Sequence, residues 1–214
     1  MDAVLDNLDA FAEGLLVTVR LSVVSFALAM VLGCVIAIFR VSPVAPLRAA
    51  GLTYVETFRN IPLTVFFTLA VFGLPKVGIT MSFFSFAVLV LSVYTGAFVS
   101  EALRSGINTV AAGQAEAARS LGLTFGQTLR LVVVPQALRT VVQPIGSLFI
   151  ALVKNSAIAS AFAVLELTST FEQLTEKEAE TATLLLGTAV AYLVITVPAG
   201  LLTGVVERRV AFRR

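Results

Sequence analysis

The chain has 214 residues, of which 58% are hydrophobic and only 13% are charged, and its mean hydropathy is +0.97. Soluble domains carry about 25% charged residues and leave much of their surface in water, so this composition excludes a soluble globular protein, a disordered chain and a nucleic-acid binder. The chain has no histidine, the commonest general base. Its single cysteine, Cys34, supports neither a disulfide framework nor a Cys/His metal site.

Five segments are long and apolar enough to cross a bilayer, which takes about 20 mostly apolar residues per helix. The sequence therefore predicts an all-α integral membrane protein, with one membrane domain over residues 1–214. The predicted spans are residues 15–39, 52–74, 81–100, 140–165 and 181–206. The loop 101–139 between the third and fourth spans is the largest polar segment.

The basic residues of the short loops predict the orientation of these spans. With five spans, three basic regions share one side, which we expect to be the cytoplasm: Arg40 and Arg48; Arg104, Arg119, Arg130 and Arg139; and Arg208, Arg209, Arg213 and Arg214. The opposite side holds the acidic N-terminal segment and the acidic segment 166–180. We therefore expect the N-terminus outside and the C-terminus in the cytoplasm. The acidic start also argues against a cleaved signal peptide.

The cytoplasmic loop is predicted to form short helices. Residues 114–121 are rich in alanine, a strong helix former, and Gly122 suits the position just after a helix C-terminus. Thr124 and Gln127 have capping-box spacing and predict a second helix, which Pro135 is expected to interrupt. The small alanine face favours docking into a groove of another protein. The alternative is a helix lying on the lipid headgroups, which usually carries bulkier apolar residues.

Residues at fixed spacing in this loop match a known sequence motif. It reads Glu116-Ala117-Ala118, three residues, Gly122, nine residues, then Val132-Val133-Val134-Pro135. This pattern resembles the EAA loop of ABC importer permeases, EAA-x3-G-x9-I-x-L-P, with valine in place of the isoleucine and the leucine. The flanking stretches Gly113-Gln114, Pro135-Gln136-Ala137, Lys154-Asn155-Ser156 and Arg59-Asn60-Ile61-Pro62 resemble the polar amino-acid uptake subfamily, most closely actinobacterial glutamate-uptake permeases.

The resemblance implies a MetI-like type I importer permease in a bacterial inner membrane. It implies a second permease subunit, identical or paralogous, a cytoplasmic ATPase dimer and an extracytoplasmic substrate-binding protein. The implied coupling contacts to the ATPase are Gln114, Glu116, Ala117, Ala118 and Gly122. This chain has no phosphate-binding G-x-x-x-x-G-K-[ST] loop, so it is expected to bind no cofactor and to leave ATP-Mg and its hydrolysis to the partner.

The predicted second span contains charged residues. Each charge within a span costs at least about 2.5 kcal/mol in insertion experiments, so we expect each to have a structural or functional role. Glu56 and Arg59 have i,i+3 spacing and are predicted to form an ion pair. Pro62 frees a backbone carbonyl and breaks the helix beside Asn60. Arg59 and Asn60 are therefore candidates for the substrate pathway, and a purely structural pair at the kink is an equal alternative.

Lys154, Asn155 and Ser156 form a second polar group within an apolar segment. The apolar run over residues 157–165 favours a position of Lys154 near the midplane of the fourth span. There it could attract the carboxylate of an amino acid, or it could pair with an acidic residue of the other permease subunit. Arg59 and Lys154 suit any α-carboxylate and do not distinguish glutamate from other amino acids.

Three other hypotheses compete with an amino-acid importer. The same coupling loop could serve a methionine or other small-nutrient importer, or the chain could be a channel without an ATPase. An integral membrane enzyme is disfavoured because the spans offer no histidine and no acidic pair. The acidic segment 166–180 is interpreted as a solvated external loop, with docking of the binding protein as the alternative.

Overall fold

The computed structural model describes residues 2–178 and 180–210, apart from the side chain of Asp2. Within that part of the chain every regular element is helical and no strand is present. Arg213 and Arg214, which the sequence analysis assigns to the basic tail, lie outside the described residues. The all-α fold class predicted from composition is confirmed.

The described residues form ten α-helices, joined by shorter π-helical and 3-10 segments. The first half holds α1 (Asp2–Leu5), α2 (Leu8–Val41), α3 (Ala45–Asn60), α4 (Leu63–Thr68), a π-helical turn (Leu69–Gly73), a 3-10 turn (Leu74–Val77) and α5 (Phe83–Asn108). The second half holds α6 (Ala112–Ser120), α7 (Phe125–Thr128), a second π-helical turn (Leu129–Val133), α8 (Val134–Asn155), a 3-10 segment (Ser156–Phe162), α9 (Leu167–Lys177) and α10 (Thr181–Val210).

Within residues 2–178 and 180–210, four continuous helical stretches are long and apolar enough to cross a membrane: Leu8–Val41, Phe83–Asn108, Phe125–Phe162 and Thr181–Val210. A fifth crossing is available if α3 and the segment Leu63–Val77 are counted together as one bent span. Most of these stretches extend beyond the predicted limits. In particular, α5 runs to Asn108, so that Glu101 and Arg104 lie on this membrane helix and not in the loop.

The second predicted span is not a single helix. The chain bends by 104° between α3 (Ala45–Asn60) and the segment Leu63–Val77, on either side of Pro62. Ile61 is extended, with φ −82° and ψ 132°, because the ring of the following proline disfavours the helical region for the residue before it. Arg59 and Asn60 therefore lie at the C-terminal end of α3, and not one-third of the way through a straight span.

The proline at position 135 is accommodated within a continuous helix. A π-helical turn over Leu129–Val133 precedes it, and the Val134 N–H donates to the carbonyl of Leu129, five residues back. The wider turn allows the chain to continue into α8 although proline has no N–H to donate. The interruption predicted at Pro135 is therefore a local widening and not a break.

Close approach between helices defines the core. A Cβ added at Gly33 of α2 would lie 2.4 Å from Val99 Cγ1 of α5, so these two helices approach closely because position 33 has no side chain. Likewise, a Cβ added at Gly146 of α8 would lie 2.2 Å from the Thr203 side chain of α10, so these two helices also approach closely. Both agree with the packing role expected of small residues in membrane helices. The main core cluster contains Leu21, Phe67, Val90 and Leu91.

The segment 166–180 was predicted to be a solvated loop, and this prediction is wrong. Eleven of its residues form α9, whose Leu167 and Leu174 are buried together with Phe11 and Leu184. This segment is an amphipathic helix. Its charged residues form the polar face and were the feature noticed in the sequence, whereas its apolar face packs on α2 and α10.

Candidate coupling segment and substrate pathway

The predicted coupling helix is present as α6. It covers Ala112–Ser120, within two residues of the predicted limits. Gln114, Glu116 and Ala117 are exposed, whereas Ala118 is only 5% exposed because α6 packs against α7 and the second π-helical turn. One face of α6 is thus anchored to its own subunit, and the opposite face is free to contact another protein.

Gly122 ends this helix in the way its sequence position predicted. It has φ +86°, a left-handed conformation in which a side chain would be strained. Two backbone hydrogen bonds close the end: Gly122 N–H donates to Arg119 O at 2.9 Å, and Leu123 N–H donates to Ala118 O at 3.2 Å. This pair is a Schellman motif, which satisfies carbonyls left over at a helix C-terminus.

The next helix begins at the predicted capping box. Thr124 Oγ1 accepts from the Gln127 N–H at 3.3 Å, and the Thr124 N–H donates to Gln127 Oε1 at 2.9 Å. The two turns together expose Leu121 (83%) and Phe125 (57%) beside α6. The sequence analysis missed these two apolar residues, although their place on both sides of Gly122 in a polar loop was a usable signal.

The ion pair predicted between Glu56 and Arg59 is not formed. Arg59 Nη1 lies 3.6 Å from Glu101 Oε2 of α5, and Glu56 accepts a hydrogen bond from Asn60 Nδ2 at 3.2 Å. Arg59 stays partly exposed but reaches α5, because α3 packs against α5 and brings the Glu101 carboxylate and the Phe98 ring within its reach. The guanidinium carbon lies 5.4 Å from the centroid of that ring, within cation–π range.

Glu101 is the centre of an arginine cluster that the sequence analysis missed. Arg40 of α2 donates to Glu101 Oε2, and Arg104 donates to Oε1 at 2.5 Å. Together with Arg59, three guanidinium groups from three helices meet one carboxylate. Glu101 and Arg104 have i,i+3 spacing on an otherwise apolar helix, and this pairing was a readable signal.

A small cavity of about 170 Å³ lies between α5 and α8. Its polar groups come from Tyr94, Thr95 and Asn155, and Phe98 closes the side that faces Arg59. Leu148, Ala151 and Leu152 complete the wall. The cavity brings Asn155, a predicted pathway residue, together with hydroxyl and aromatic groups able to bind a small polar molecule.

The two neighbours of Asn155 have different surroundings. Lys154 is exposed in the last turn of α8, where its charge complements the helix dipole, and it does not line the cavity. The α-helix ends at Asn155, so the expected continuation through residues 157–165 is instead a 3-10 segment closed by Ala163 at φ 60°. Ser156 is buried and donates to Val153 O at 2.7 Å, so the carbonyl three residues back in α8 satisfies its hydroxyl.

Glu166 is a buried carboxyl that the sequence analysis counted only as part of an acidic loop. It is 0% exposed and caps α9, because its Oε1 accepts from the N–H groups of Thr168 and Ser169 at 2.7 and 3.1 Å. Its Oε2 accepts from Tyr192 Oη at 2.7 Å and lies 3.3 Å from Thr18 Oγ1. This carboxyl joins α2, α9 and α10 through hydrogen bonds from uncharged groups.

The described residues contain no group of three or more His, Cys, Asp or Glu side chains placed to hold a metal ion.

The chain is similar to known proteins over most of its length. The chain is 36% identical over 204 residues to the "Probable glutamine ABC transporter permease protein GlnM" of Bacillus subtilis, covering 95% of this chain and 94% of that protein. It is 40% identical over 211 residues to the glutamate transport system permease protein GluC of Corynebacterium glutamicum, covering 92% of each. A crystal structure of an amino acid ABC transporter with histidines matches with a TM-score of 0.90 at 31% identity, covering 96% of both chains.

The family described as binding-protein-dependent transport system inner membrane component matches residues 29–212. The match covers α5, α6 and α8, which include the candidate coupling segment (residues 112–128) and the cavity, and it confirms the resemblance identified from the EAA motif. Members of this family are membrane-embedded permease subunits, and ATP hydrolysis is performed by a separate subunit. The chain belongs to this family and is the permease subunit of an ABC importer.

Proposed function

We propose that this permease imports a polar amino acid, with glutamate or a closely related amino acid as the substrate. The similarity to glutamate and glutamine permeases over more than nine-tenths of the chain supports this choice. The cavity between α5 and α8 is consistent with it, because hydroxyl and amide groups there suit the polar groups of an amino acid. The alternative is import of methionine or another small nutrient through the same architecture.

The observation that carries the coupling part of the proposal is the geometry of α6. Its exposed face presents Gln114, Glu116 and Ala117, and the rigid turn at Gly122 sets the exposed Leu121 beside them. Small side chains allow a close approach to a groove of the ATPase, and Glu116 offers a charged contact. Ala118 serves the coupling from the buried side by fixing α6 to its subunit. In this proposal the chain holds no cofactor, and ATP-Mg binds to the ATPase dimer.

The substrate pathway in this proposal runs past Asn155 and Arg59. Asn155 lines the cavity, and Arg59 lies behind its Phe98 wall, so a rotation of that ring would expose a cation to a substrate carboxylate. Asn60 adjoins Arg59 at the end of α3. Lys154 and Ser156 stay as predictions without support from the cavity, and Lys154 is better placed to contact the second permease subunit.

The proposed assembly contains two permease subunits, identical or paralogous, two ATPase subunits and an external substrate-binding protein. The exposed apolar surface of α10 is suited to lipid or to a helix of the second subunit. The proposed orientation places the N-terminus outside and the C-terminus, with Arg208 and Arg209, in the cytoplasm of a bacterial cell. The proposed organisation is a single membrane domain over residues 1–214.

Uptake in proteoliposomes tests the coupling and the substrate separately. The permease is reconstituted with its ATPase and binding protein, and uptake of labelled glutamate is measured with unlabelled glutamate, glutamine or methionine as competitors. Glu116→Lys is expected to lower uptake at least about tenfold, because charge reversal in a docked interface is costly. Glu176→Lys, which alters an exposed carboxylate on α9, is the matched control and is expected to retain uptake.

The outcomes separate the parts of the proposal. Uptake retained in Glu116→Lys would contradict the coupling assignment. Competition by methionine alone would replace the substrate proposal with the alternative, and a lack of competition by every polar amino acid would refute it. Co-purification of the ATPase with the wild-type permease excludes a channel that works alone.

A further inference from the structure

A cavity of about 370 Å³ with two arginines in its wall lies where α2 and α5 meet the candidate coupling segment. Arg40 comes from the last turn of α2, and Arg104 and Asn108 come from the end of α5. Ala115 of α6 and Phe125 of α7 close the other side. This cavity is separate from the one that holds Asn155, and the transport proposal assigns it no role.

The charge beside this cavity is unbalanced. Arg40, Arg59 and Arg104 all contact the single carboxylate of Glu101, which leaves three positive charges against one negative charge. Arg104 Nε is buried and, among the described residues, has no hydrogen-bond partner. Two guanidinium groups that line a cavity and are incompletely neutralised form a site for an oxygen-rich anion such as a phosphate group.

An apolar groove of about 230 Å³ lies beside this cavity along the membrane helices. The two spaces share the lining residues Val41, Ile107 and Leu129, so they adjoin one another. The rest of the groove is lined by aliphatic side chains and Cys34, and it opens outward beside Ile38 and Leu138, which are 62% and 52% exposed. In a membrane helix bundle this opening faces hydrocarbon or a neighbouring subunit.

We infer that this pair of spaces binds one anionic phospholipid. Its phosphate lies between Arg40 and Arg104, and one acyl chain fills the groove beside Cys34 and Leu138. A free phosphate would leave the apolar groove empty, and an apolar helix would leave the arginines uncompensated. A zwitterionic headgroup would bring a further cation to an already cationic cluster. Basic pockets between membrane helices at the cytoplasmic interface have this preference for anionic headgroups.

The position of this site relates it to coupling. A headgroup held by Arg40 and Arg104 also contacts Ala115 and Phe125, so it bridges the membrane helices to the segment that carries α6. The bound lipid therefore stabilises the attachment of α6 to its subunit. This inference does not depend on which amino acid is transported.

The test uses the permease–ATPase complex in nanodiscs made either of phosphatidylcholine alone or of phosphatidylcholine with one part in four phosphatidylglycerol. Lipid that stays bound after extraction into detergent is counted by native mass spectrometry, and the thermal unfolding midpoint is recorded. Asn108→Asp places a carboxylate in the cavity wall one turn from Arg104, where it competes with the phosphate. Asn108 is exposed at the last residue of α5, where the unfavourable interaction of a new carboxylate with the helix dipole is small and screened by solvent, so this variant is expected to fold.

The control is Arg48→Gln, which lowers the charge by the same amount at a basic residue outside the cavity. Asn108→Asp is expected to weaken phosphatidylglycerol retention about fivefold and Arg48→Gln to leave it within about twofold. Cys34→Phe, which fills the groove, is expected to lower retention relative to Cys34→Ser. Equal retention in Asn108→Asp and wild type would overturn the proposal. Stabilisation by inorganic phosphate in phosphatidylcholine nanodiscs, without a phosphatidylglycerol effect, would also overturn it.

Discussion

Glu101 and Glu166 are both carboxylates that connect three helices, but they are neutralised in different ways. Glu101 is paired with three arginines from α2, α3 and α5, and its side chain keeps 25% of its exposure. Glu166 is 0% exposed and receives hydrogen bonds only from backbone N–H groups and hydroxyls. One site is a cluster of full charges near a helix end, and the other is a buried carboxyl among neutral donors.

The difference shows what each site can tolerate. The arginine cluster depends on Glu101, because removing the only carboxylate brings three guanidinium groups together without an anion between them. The Glu166 site can accept a proton, since Oε2 lies 3.3 Å from Thr18 Oγ1 and a protonated carboxyl could donate there. The first site is therefore expected to respond most to loss of charge, and the second to pH.

The largest expected effect is that of Glu101→Ala. Arg40, whose side chain is 8% exposed, would lose its carboxylate and face two other cations. Breaking a buried pair on one side costs about 3 kcal/mol of unfolding free energy. The thermal unfolding midpoint of the purified permease measures this, with Glu56→Ala as the control, since Glu56 is exposed and is expected to contribute less than about 1 kcal/mol. Equal shifts for the two variants would contradict the importance assigned to the cluster.

A smaller loss is expected for Glu166→Ala. This change removes the cap of α9 and leaves Tyr192 Oη without its carboxyl acceptor, at a cost of about 2 kcal/mol. Limited proteolysis within residues 166–178, together with the unfolding midpoint, reports the loosening of α9. Glu176→Ala, an exposed position on the same helix, is expected to leave both readouts near the wild-type values. An unchanged proteolysis pattern in Glu166→Ala would show that the apolar face of α9 is sufficient to hold it.

The smallest expected effect is a pH dependence at Glu166. Burial raises the pKa of the Glu166 carboxyl, in opposition to the hydrogen bonds from Tyr192 and from the Ser169 and Thr168 backbone, which favour the ionised form. A raised pKa means that this group stabilises the fold fully below its unfolded pKa of about 4.3 and that the contribution is lost as pH rises through the folded pKa.

Comparison of wild type with Glu166→Gln across pH 4 to 8 tests this sign. The difference in unfolding midpoint between the two proteins is expected to move in favour of the glutamine variant as pH rises, because glutamine has no proton to lose. Glu176→Gln provides the exposed control. A difference that moves in favour of wild type with rising pH would mean that the folded protein prefers the ionised carboxylate and would contradict the expected direction.

Local features of the coupling segment were predictable because their causes lie within a few residues. Gly122 ends α6 and the capping box at Thr124 begins α7, as expected from a residue type and a three-residue spacing. The helix break before Pro62 has the same local origin, although its angle of 104° was beyond the reach of a sequence argument. The angle depends on how α4 packs on α5, which involves residues far along the chain.

The errors concern partners that are distant in the sequence. Glu101 is 61 residues from Arg40, and Glu166 is 148 residues from Thr18, so no local spacing indicates these contacts. Glu56 and Arg59 had suitable spacing for a pair, but α5 offered Arg59 a carboxylate and an aromatic face instead. A long, flexible side chain such as that of Arg59 can reach several partners, and the residue with suitable local spacing is only one of them.

Membrane residence, the family and the coupling motif follow from the amino-acid sequence alone, because hydropathy over a bilayer thickness, residue spacing and capping chemistry act along the chain. The burial of Glu166, the arginine cluster around Glu101 and the two cavities arise from helix packing. Packing brings groups from separate spans to within hydrogen-bond distance, and it decides which polar residue of a span contacts a partner and which faces lipid. For Asn155 and Lys154, adjacent in the sequence, that choice separates a cavity wall from an exposed surface.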